Sequence, residues 1–333
     1  PHPQRIAAHL PCLQDGPRRT GGKGRFMESL ADFPDTDFPG NDRPGLLRLT
    51  EAGSGNPPLD SDGETRLLRV MRPGQAFPIL VRMAEPDGRT EAALDRLQRE
   101  HALSRRLDPV WAAKPLDLLR HGETPVLTMA DPGGQPLSTL AVSTMPFRGR
   151  LALAVRLAGA VAQLHRRGLL HGDLRPFNLL VGDDGTVRLT GFGRSRLRSG
   201  GPSSGGLPPL AAPPADRPAL LAYMAPEQSG RMNRPVGRRS DLYSLGVTLY
   251  ELFTGELPFA ARDATEWVHA HLARAPIPPA FHAPGLPQAV AGILLRLLAK
   301  TAEERYQTAD GLIRDLTHAL QLWEVQGSIP PFS

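Results

Sequence analysis

The chemistry of this chain concentrates in the stretch HGDLRPFN, residues 171–178. Asp173 and Asn178 can converge on one point when they lie on a loop. The aspartate can accept a hydroxyl proton, the asparagine carbonyl can ligate a divalent cation, and Arg175 between them can neutralise a phosphate. The stretch therefore carries the parts needed for phosphoryl transfer. Taken alone, it is equally well interpreted as a surface turn that happens to contain these residues.

Further motifs follow in order along the chain and favour the first interpretation. They are TGFG at 190–193, APE at 225–227, SDLYSLGV at 240–247 and ERY at 304–306. This ordered set resembles the protein kinase family, whose motifs follow one another in the same sequence. The resemblance covers roughly residues 150–320. It implies an α+β, bilobal protein-kinase-like fold with a small β-rich N-lobe and a larger, mainly helical C-lobe.

The resemblance assigns catalytic roles to three residues of the 171–178 stretch. Asp173 is expected to be the catalytic base. Asn178 is expected to be a Mg²⁺ ligand, though a weak one. Arg175 stands where such kinases carry the lysine that contacts the transferred phosphate.

Three more residues receive structural roles from the same resemblance. Glu227 and Arg305 are expected to form a buried ion pair that anchors the activation segment. Asp241 is expected to tie the backbone of the 171–178 loop to the central helix. Removing one half of a buried ion pair typically costs about 3–5 kcal/mol, so we expect these positions to matter for folding.

The nucleotide side of the pattern is degraded at three places. Gly191 replaces the aspartate that normally ligates magnesium, and it offers no side chain. No lysine occurs between Lys23 and Lys114, so Arg82 is the only basic candidate on the third strand. Its planar guanidinium is not equivalent to an ammonium group. The glycine-rich loop is reduced to GSG at 53–55, followed by two prolines that lack an N–H for phosphate oxygens.

Six residues are expected to line the nucleotide site if it binds ATP: Arg82, Glu100, Met129, Asp131, Gly53 and Gly55. Glu100 matches the helix glutamate that pairs with the strand lysine in the family, so a bridge to Arg82 is one expectation. A solvated glutamate is the other. ATP and Mg²⁺ are the cofactors expected of an active enzyme, and none is expected of an inactive one.

Three functions remain open on the sequence. The first is a serine/threonine protein kinase that uses Asp173 as base. The second is a catalytically weak or inactive pseudokinase that regulates or docks a partner. The third is a small-molecule phosphotransferase of the aminoglycoside or choline kinase type, because HGD is usual in their loop. The APE and SDLYSLG blocks argue against the third, since those kinases lack them.

A closer resemblance lies in a bacterial subfamily. It is carried by AYMAPEQSGRMNR at 222–234, EWVHAH at 266–271, AKTAEERYQ at 299–307 and IPPF at 329–332. In that subfamily a serine/threonine-kinase-like module precedes an ATPase-like domain, a sensory domain and a histidine kinase. The implied partners are these downstream signal-transduction domains, together with a protein substrate or docking partner.

Composition excludes several classes of protein. The chain has 333 residues, of which 40% are hydrophobic, enough for a real core. The single cysteine, Cys12, excludes a disulfide framework and suits a reducing compartment. No apolar run approaches the roughly 20 residues of a membrane span. Because there is also no signal peptide, we expect a cytoplasmic protein without membrane partners. The net charge of +5 is dispersed along the chain, so we expect no nucleic-acid partner. The pair His269/His271 lacks a third ligand for a metal.

Pattern and composition predict the domain boundaries. Residues 1–46 are expected to be a flexible tail, with Met27 as an alternative start that would leave the preceding residues non-native. Residues 47–132 are expected to form the N-lobe, 133–323 the C-lobe, and 324–333 the start of a linker to a missing downstream domain.

Local patterns predict the elements that carry the motifs. Strands are expected over 65–70, 77–83 and 126–129, with two more around 178–190. Helices are expected over 90–107, 241–253, 265–273, 288–298 and 309–322. Another helix is expected to carry Leu153 to Leu164 and to end at Gly168. The proline-rich segment 199–218 is expected to form neither a helix nor a central strand.

Overall fold

The computed structural model describes residues 57–71, 76–85, 90–121, 124–197 and 218–331. Within these ranges a sheet-rich N-terminal part precedes a mainly helical C-terminal part, which confirms the predicted α+β fold class. The predicted tail 1–46 and the glycines Gly53 and Gly55 lie outside the described residues. The division at 132/133 and the linker over 324–333 stay predictions.

One antiparallel sheet forms the N-lobe, with strand order β1-β2-β3-β5-β4. Its strands are β1 (Asp60–Ser61), β2 (Thr65–Met71), β3 (Pro78–Ala84), β4 (Pro115–His121) and β5 (Thr124–Ala130). β4 was not predicted, because its sequence PLDLLRH begins with proline and its adjacent leucines obscure the period of two. β3 is central, and Arg82 pairs with Leu67 on one side and Leu127 on the other. This register buries Arg82 in the middle of the sheet.

Helix α1 (Thr90–Ala102) packs against this sheet. Its apolar face buries Ala93 and Leu97, and Glu100 is buried on the same helix. The helix ends five residues before the predicted Leu107. There the N–H groups of Leu103 and Ser104 bond carbonyls three residues back, which tightens the backbone into turns.

The C-lobe is built around two long helices, α2 (Phe147–Arg166) and α8 (Ala309–Gln326), which pack on each other. Between them in the chain lie α3 (Pro218–Leu221), α4 (Arg238–Thr254), α5 (Ala264–Ala273), α6 (Pro279–His282) and α7 (Gln288–Leu297). Leucines of α2, α4 and α8, such as Leu157, Leu249 and Leu316, are fully buried in one core. Within the described ranges, none of these helices has the length and apolar character needed to cross a bilayer.

Short strands frame the loop that carries the HGD motif. β7 (Leu169–Leu170) precedes it and pairs with β10 (Arg196–Leu197). A second small sheet consists of β8 (Leu179–Val181) and β9 (Val187–Leu189), which follow the loop, and of β6 (Gln135–Pro136), which lies earlier in the chain. A 3₁₀ turn, Pro176–Asn178, closes the loop, and another, Phe192–Arg194, follows β9. The loop is therefore fixed at both ends, facing the N-lobe sheet.

Candidate active site

The backbone of the loop is anchored by a carboxylate in the first turn of α4. Asp241 accepts the N–H of His171 and the N–H of Gly172, each at 2.9 Å, and also the Nε2–H of His165 at 2.9 Å. Burial alone would raise the pKa of Asp241, but the bonds from His165 and Gly172 outweigh it and lower that pKa. An ionised, buried Asp241 thus joins the loop to α4.

Gly172 is required by the backbone at this point. Its φ is +76°, and a Cβ added there would lie 2.7 Å from the carbonyl oxygen of Arg194. A larger side chain would be strained in the left-handed region and would also clash with that carbonyl. The close approach explains the HGD sequence.

Asp173, Arg175 and Asn178 meet at one place, as the spacing of the aspartate and the asparagine on a loop predicts. Arg175 Nε donates to Asp173 Oδ1 at 2.8 Å, and Asn178 Nδ2 donates to Asp173 Oδ2 at 3.0 Å. Burial would raise the pKa of Asp173, but the positive charges of Arg175 and Arg194 lower it. The carboxylate is therefore ionised, with both oxygens already bonded.

A second carboxylate reaches the same arginine from the N-lobe. Asp62 lies in the turn between β1 and β2, and its Oδ2 accepts from Arg175 Nη2 at 2.5 Å. Its Oδ1 accepts the N–H groups of Glu64 and Thr65, which fixes the turn. Side-chain exposure is 5% for Arg175 and 4% for Asp62. Sequence reasoning missed Asp62, because the Asp-Gly pair predicts a turn but not what the turn contacts.

Arg82 lies beside the loop and contacts the predicted metal ligand. Its Nη1 and Nη2 both donate to Asn178 Oδ1 at 3.3 Å, and Nη2 also donates to Thr190 Oγ1 at 3.3 Å. The guanidinium lies 5.1 Å from the centroid of the Phe177 ring. Asn178 Oδ1, the oxygen that would ligate a divalent cation, therefore already accepts hydrogen bonds from a positively charged guanidinium.

Glu100 has a different partner from the one expected. Its Oε1 accepts the N–H of Gly191 at 2.9 Å, and no ion pair joins it to Arg82 within the described part of the chain. The expected Arg82–Glu100 bridge is thus not formed, because the Gly191 amide holds the glutamate while Asn178 and Thr190 hold the arginine. The solvated alternative also fails, since Glu100 is buried.

The backbone at Gly191 leaves no room for a side chain. Its φ is +77°, and a Cβ added there would lie 2.1 Å from Asn178 Oδ1. An aspartate could not stand at this position unless the Asn178 amide, which accepts from Arg82, moved. The packing against Asn178 therefore requires a glycine at this position, in addition to the absence of a side chain that could ligate a metal.

These residues do not fit a magnesium ion. Mg²⁺ prefers near-octahedral oxygen ligands, usually from one or two carboxylates and from phosphate groups. Here Asn178 Oδ1 is covered by a guanidinium, Asp173 is bonded at both oxygens, and Gly191 offers none. Elsewhere in the described ranges, no group of three or more His, Cys, Asp or Glu side chains could hold a metal.

The remaining residues assigned to the nucleotide site have structural contacts. Met129 is buried, and its Sδ accepts from Thr190 Oγ1 at 3.6 Å. Asp131 binds Arg69 through both oxygens, at 2.5 Å from Nε and 3.1 Å from Nη2. Met129 therefore lies against Thr190 beside Arg82, whereas the Asp131 carboxylate is used within the N-lobe.

Glu227 and Arg305 lie together beneath the loop. Arg305 Nη1 donates to Glu227 Oε1 at 2.8 Å, and the side chains are 0% and 3% exposed. Arg305 also donates to the carbonyls of Arg239, Ala299 and Lys300. The pair thus ties the APE turn to α4 and to the segment that precedes α8.

Two arginines near Asp173, the half-buried Arg96 and the buried Arg194, were also missed by sequence reasoning. Arg96, on α1, pairs with Glu64, and burial together with the positive charge of Arg194 lowers its pKa to about 10. Arg194, in the 3₁₀ turn after β9, is buried with its Nε unpartnered. Both come from segments far from residues 171–178, so no local pattern could have placed them there.

Residues 95–316 match the family model described as protein kinase domain, which is most of the chain. The chain belongs to this family. It is 31% identical to the serine/threonine-protein kinase Pkn1 of Myxococcus xanthus over 221 residues, 63% of this chain and 30% of that protein. It is also 31% identical to the serine/threonine-protein kinase PknB of Mycobacterium tuberculosis over 198 residues, 59% of this chain and 30% of that protein.

A third relative is named as a histidine kinase. The hybrid signal transduction histidine kinase G of Dictyostelium discoideum is 43% identical over 107 residues, 32% of this chain and 3% of that protein. The chain thus spans less than a third of the length of each of these three relatives. Members of the family generally use ATP and Mg²⁺ to phosphorylate proteins.

Proposed function

We propose that this kinase-family domain is a pseudokinase, a regulatory module that does not carry out Mg²⁺-dependent phosphoryl transfer. The observation that supports this most strongly is the pair of contacts from Arg82 to Asn178 Oδ1 beside Gly191. A guanidinium and a glycine stand where the reaction needs a metal ligand pair. The cation that would bridge the phosphates therefore has no site.

The state of the base supports the same proposal. Phosphoryl transfer requires a carboxylate that is free to accept the hydroxyl proton of the substrate. Asp173 is already bonded by Arg175 and Asn178, and its lowered pKa makes it a weaker proton acceptor. Arg175 itself is shared with Asp62, so it is not free to bind a phosphate.

The similarity to a hybrid histidine kinase supports a place for this domain in signal transduction. A module that keeps the Asp241 anchor and the Glu227–Arg305 pair retains a rigid C-lobe even without catalysis. We therefore propose that it acts by docking onto other domains of a bacterial signalling protein and biasing a histidine kinase.

A label-transfer assay tests the proposal. The wild-type chain and Asp173→Asn are incubated with radiolabelled ATP, Mg²⁺ and a general serine/threonine protein substrate. We expect the same background label for both proteins, because no catalysis depends on Asp173. The matched control is Asp310→Asn, which changes an exposed aspartate in the first turn of α8.

The opposite result would support an active serine/threonine kinase. Label that requires Mg²⁺ falls by about 10²-fold or more in Asp173→Asn when that residue serves catalysis, and is retained in Asp310→Asn. That pattern would overturn the proposal.

A further inference from the structure

Two carboxylates at the tip of the β1–β2 hairpin, residues 60–65, reach out of the N-lobe sheet. Asp60 Oδ2 accepts from the hydroxyl of Ser138, which lies in the 3₁₀ turn directly after β6. Because β6 pairs with β8, this 3₁₀ turn belongs with the small sheet beside the HGD loop. Asp62 Oδ2 accepts from Arg175 Nη2 of the loop itself at 2.5 Å. The hairpin tip therefore joins the two parts of the domain at two separate points.

The conformation of the hairpin tip is fixed by its own hydrogen bonds. Asp62 Oδ1 accepts the N–H groups of Glu64 and Thr65, at 2.9 Å and 2.7 Å. Gly63 has a φ of +76°, a left-handed conformation that glycine adopts at no steric cost. Glu64 pairs with Arg96 of α1, which holds the tip against that helix. Asp62 therefore shapes the turn with one oxygen and binds the HGD loop with the other.

The contact of Asp62 with Arg175 lies beside the predicted catalytic base. Arg175 bonds Asp173 through Nε and Nη2, and it bonds Asp62 through Nη2. All three side chains are buried. Phosphoryl transfer needs room at this place for the nucleotide phosphates and for the hydroxyl group that the base deprotonates. A buried carboxylate of the N-lobe lies there instead, bonded to Arg175.

A kinase domain normally closes by a hinge motion around its bound ligand. Here side chains of the protein itself join the two parts, so the closed arrangement needs no ligand. We propose that the hairpin tip is a latch, in which Asp60 and Asp62 hold the cleft between the N-lobe sheet and the HGD loop closed and exclude nucleotides from it, with or without Mg²⁺. The latch goes beyond the proposed function, because a domain that lacks magnesium chemistry can still bind ATP.

Hydrogen exchange measured by mass spectrometry tests the latch without any ligand. The double variant Asp62→Asn/Ser138→Ala removes both contacts, while the asparagine keeps an Oδ1 for the two N–H groups of the turn. Losing one charge-assisted hydrogen bond shifts an equilibrium about tenfold or more, so the amides of residues 171–178 should exchange at least about tenfold faster. Exchange at the wild-type rate overturns the proposal.

Glu85→Gln is the matched control. Glu85 Oε1 accepts from Ser61 Oγ at 2.6 Å, so the variant also neutralises a carboxylate that bonds the hairpin tip, but this contact stays within the N-lobe. Residues 171–178 should therefore exchange as in the wild type. Equal acceleration in Glu85→Gln and in the double variant would reflect a general loosening of the tip and would overturn the latch. Circular dichroism shows whether the double variant is folded, and if it is not, Asp62→Asn alone carries the same expectation against the same control.

Thermal-shift titrations with ATP, in EDTA and in Mg²⁺, test the exclusion of nucleotides. Ligand binding raises the unfolding temperature by mass action, so an excluded ligand leaves that temperature unchanged. We expect no shift of the wild-type chain at millimolar ATP in either buffer. A saturable shift overturns the latch. If no label transfer depends on Asp173 in the same protein, the proposed function still stands, whereas Asp173-dependent label transfer overturns both proposals.

Discussion

The two buried charge networks of this domain differ in what they hold. In the network of Glu227 and Arg305, the arginine is bonded to a carboxylate and to three backbone carbonyls, and Glu227 Oε2 alone is buried without a partner. Above it, Arg194 has an unpartnered Nε, and Arg82 donates only to the neutral oxygens of Asn178 and Thr190. The family's residue types remain where they hold the backbone, whereas Arg82, Arg175 and Gly191 differ from the family at positions that contact metal or phosphate. The residues that hold the backbone are therefore a different set from those that have changed beside Asn178.

The largest effect is expected from breaking the lower network. Arg305→Leu leaves the Glu227 carboxylate buried and unpaired, which should lower the free energy of unfolding by about 3–5 kcal/mol. Urea denaturation followed by circular dichroism measures this change. Arg234→Leu breaks an exposed pair with Glu303 and should cost no more than about 1 kcal/mol. Similar losses in the two variants would show that burial does not distinguish the pairs.

The second effect concerns the glycine that replaces the metal ligand. Gly191→Ala and Gly133→Ala both force alanine into a left-handed backbone, at about 1–2 kcal/mol each. Only at Gly191 would the new Cβ meet Asn178, whereas nothing lies within 4 Å of a Cβ at Gly133. Overpacking should add about 1–3 kcal/mol to the destabilisation of Gly191→Ala, measured by urea denaturation. Equal losses at the two positions would mean that the Asn178 amide moves aside freely.

A third, smaller effect is expected at Asp241, which anchors the backbone of the loop. Asp241→Asn leaves one of its acceptor oxygens replaced by an N–H donor, next to the amides of His171 and Gly172. The loss of charge-assisted bonds should lower the free energy of unfolding by about 1.5–3 kcal/mol. Amide hydrogen exchange at His171 and Gly172 should become faster in the variant. Unchanged exchange at these two amides would show that the loop does not depend on this anchor.

The sequence predicted the lower network better than the upper one, for a physical reason. The roles of Glu227, Arg305 and Asp241 follow from motifs that stand in family order, and the structure brings these residues to their expected neighbours. The contacts of Asp62 and Arg194 join segments with no shared period or spacing, so nothing local indicates them. Arg82 was identified from the absence of lysine, but its partner was not. Glu100, the expected partner, accepts the Gly191 N–H instead, and Arg82 donates to Asn178.

The bounds of helices and strands were also predicted well in some places and poorly in others. Helices and strands with a clear period were predicted close to their bounds, as for β2, β3 and α7. The end of α1 was misplaced, since Leu103 and Leu107 are buried in turns that keep the apolar spacing without the helix. Burial of apolar residues sets such spacing, and the backbone can satisfy it in more than one conformation.

The smallest expected effect is a change with pH in the stability that the Asp62 carboxylate contributes. Burial raises the pKa of Asp62, but the charge of Arg175 and the N–H of Thr65 outweigh it, so the folded-state pKa is lowered. A lowered pKa means that the ionised form stabilises the fold above the unfolded value of about 3.9, and that this contribution is lost as pH falls through the folded value. The wild-type chain should therefore be more stable than Asp62→Asn at pH 7.

This difference in the free energy of unfolding should shrink below about pH 4, where Asp62 becomes protonated in the wild type and the asparagine does not change. Urea denaturation of both proteins at pH 7, 5 and 3.5 measures it. Asp241, which shares no partner with Asp62, titrates in both proteins, so its contribution cancels in the comparison. A difference that stays constant over this range would show that the Asp62 carboxylate contributes no charge-dependent stability, and Arg175 would then be held by Asp173 alone.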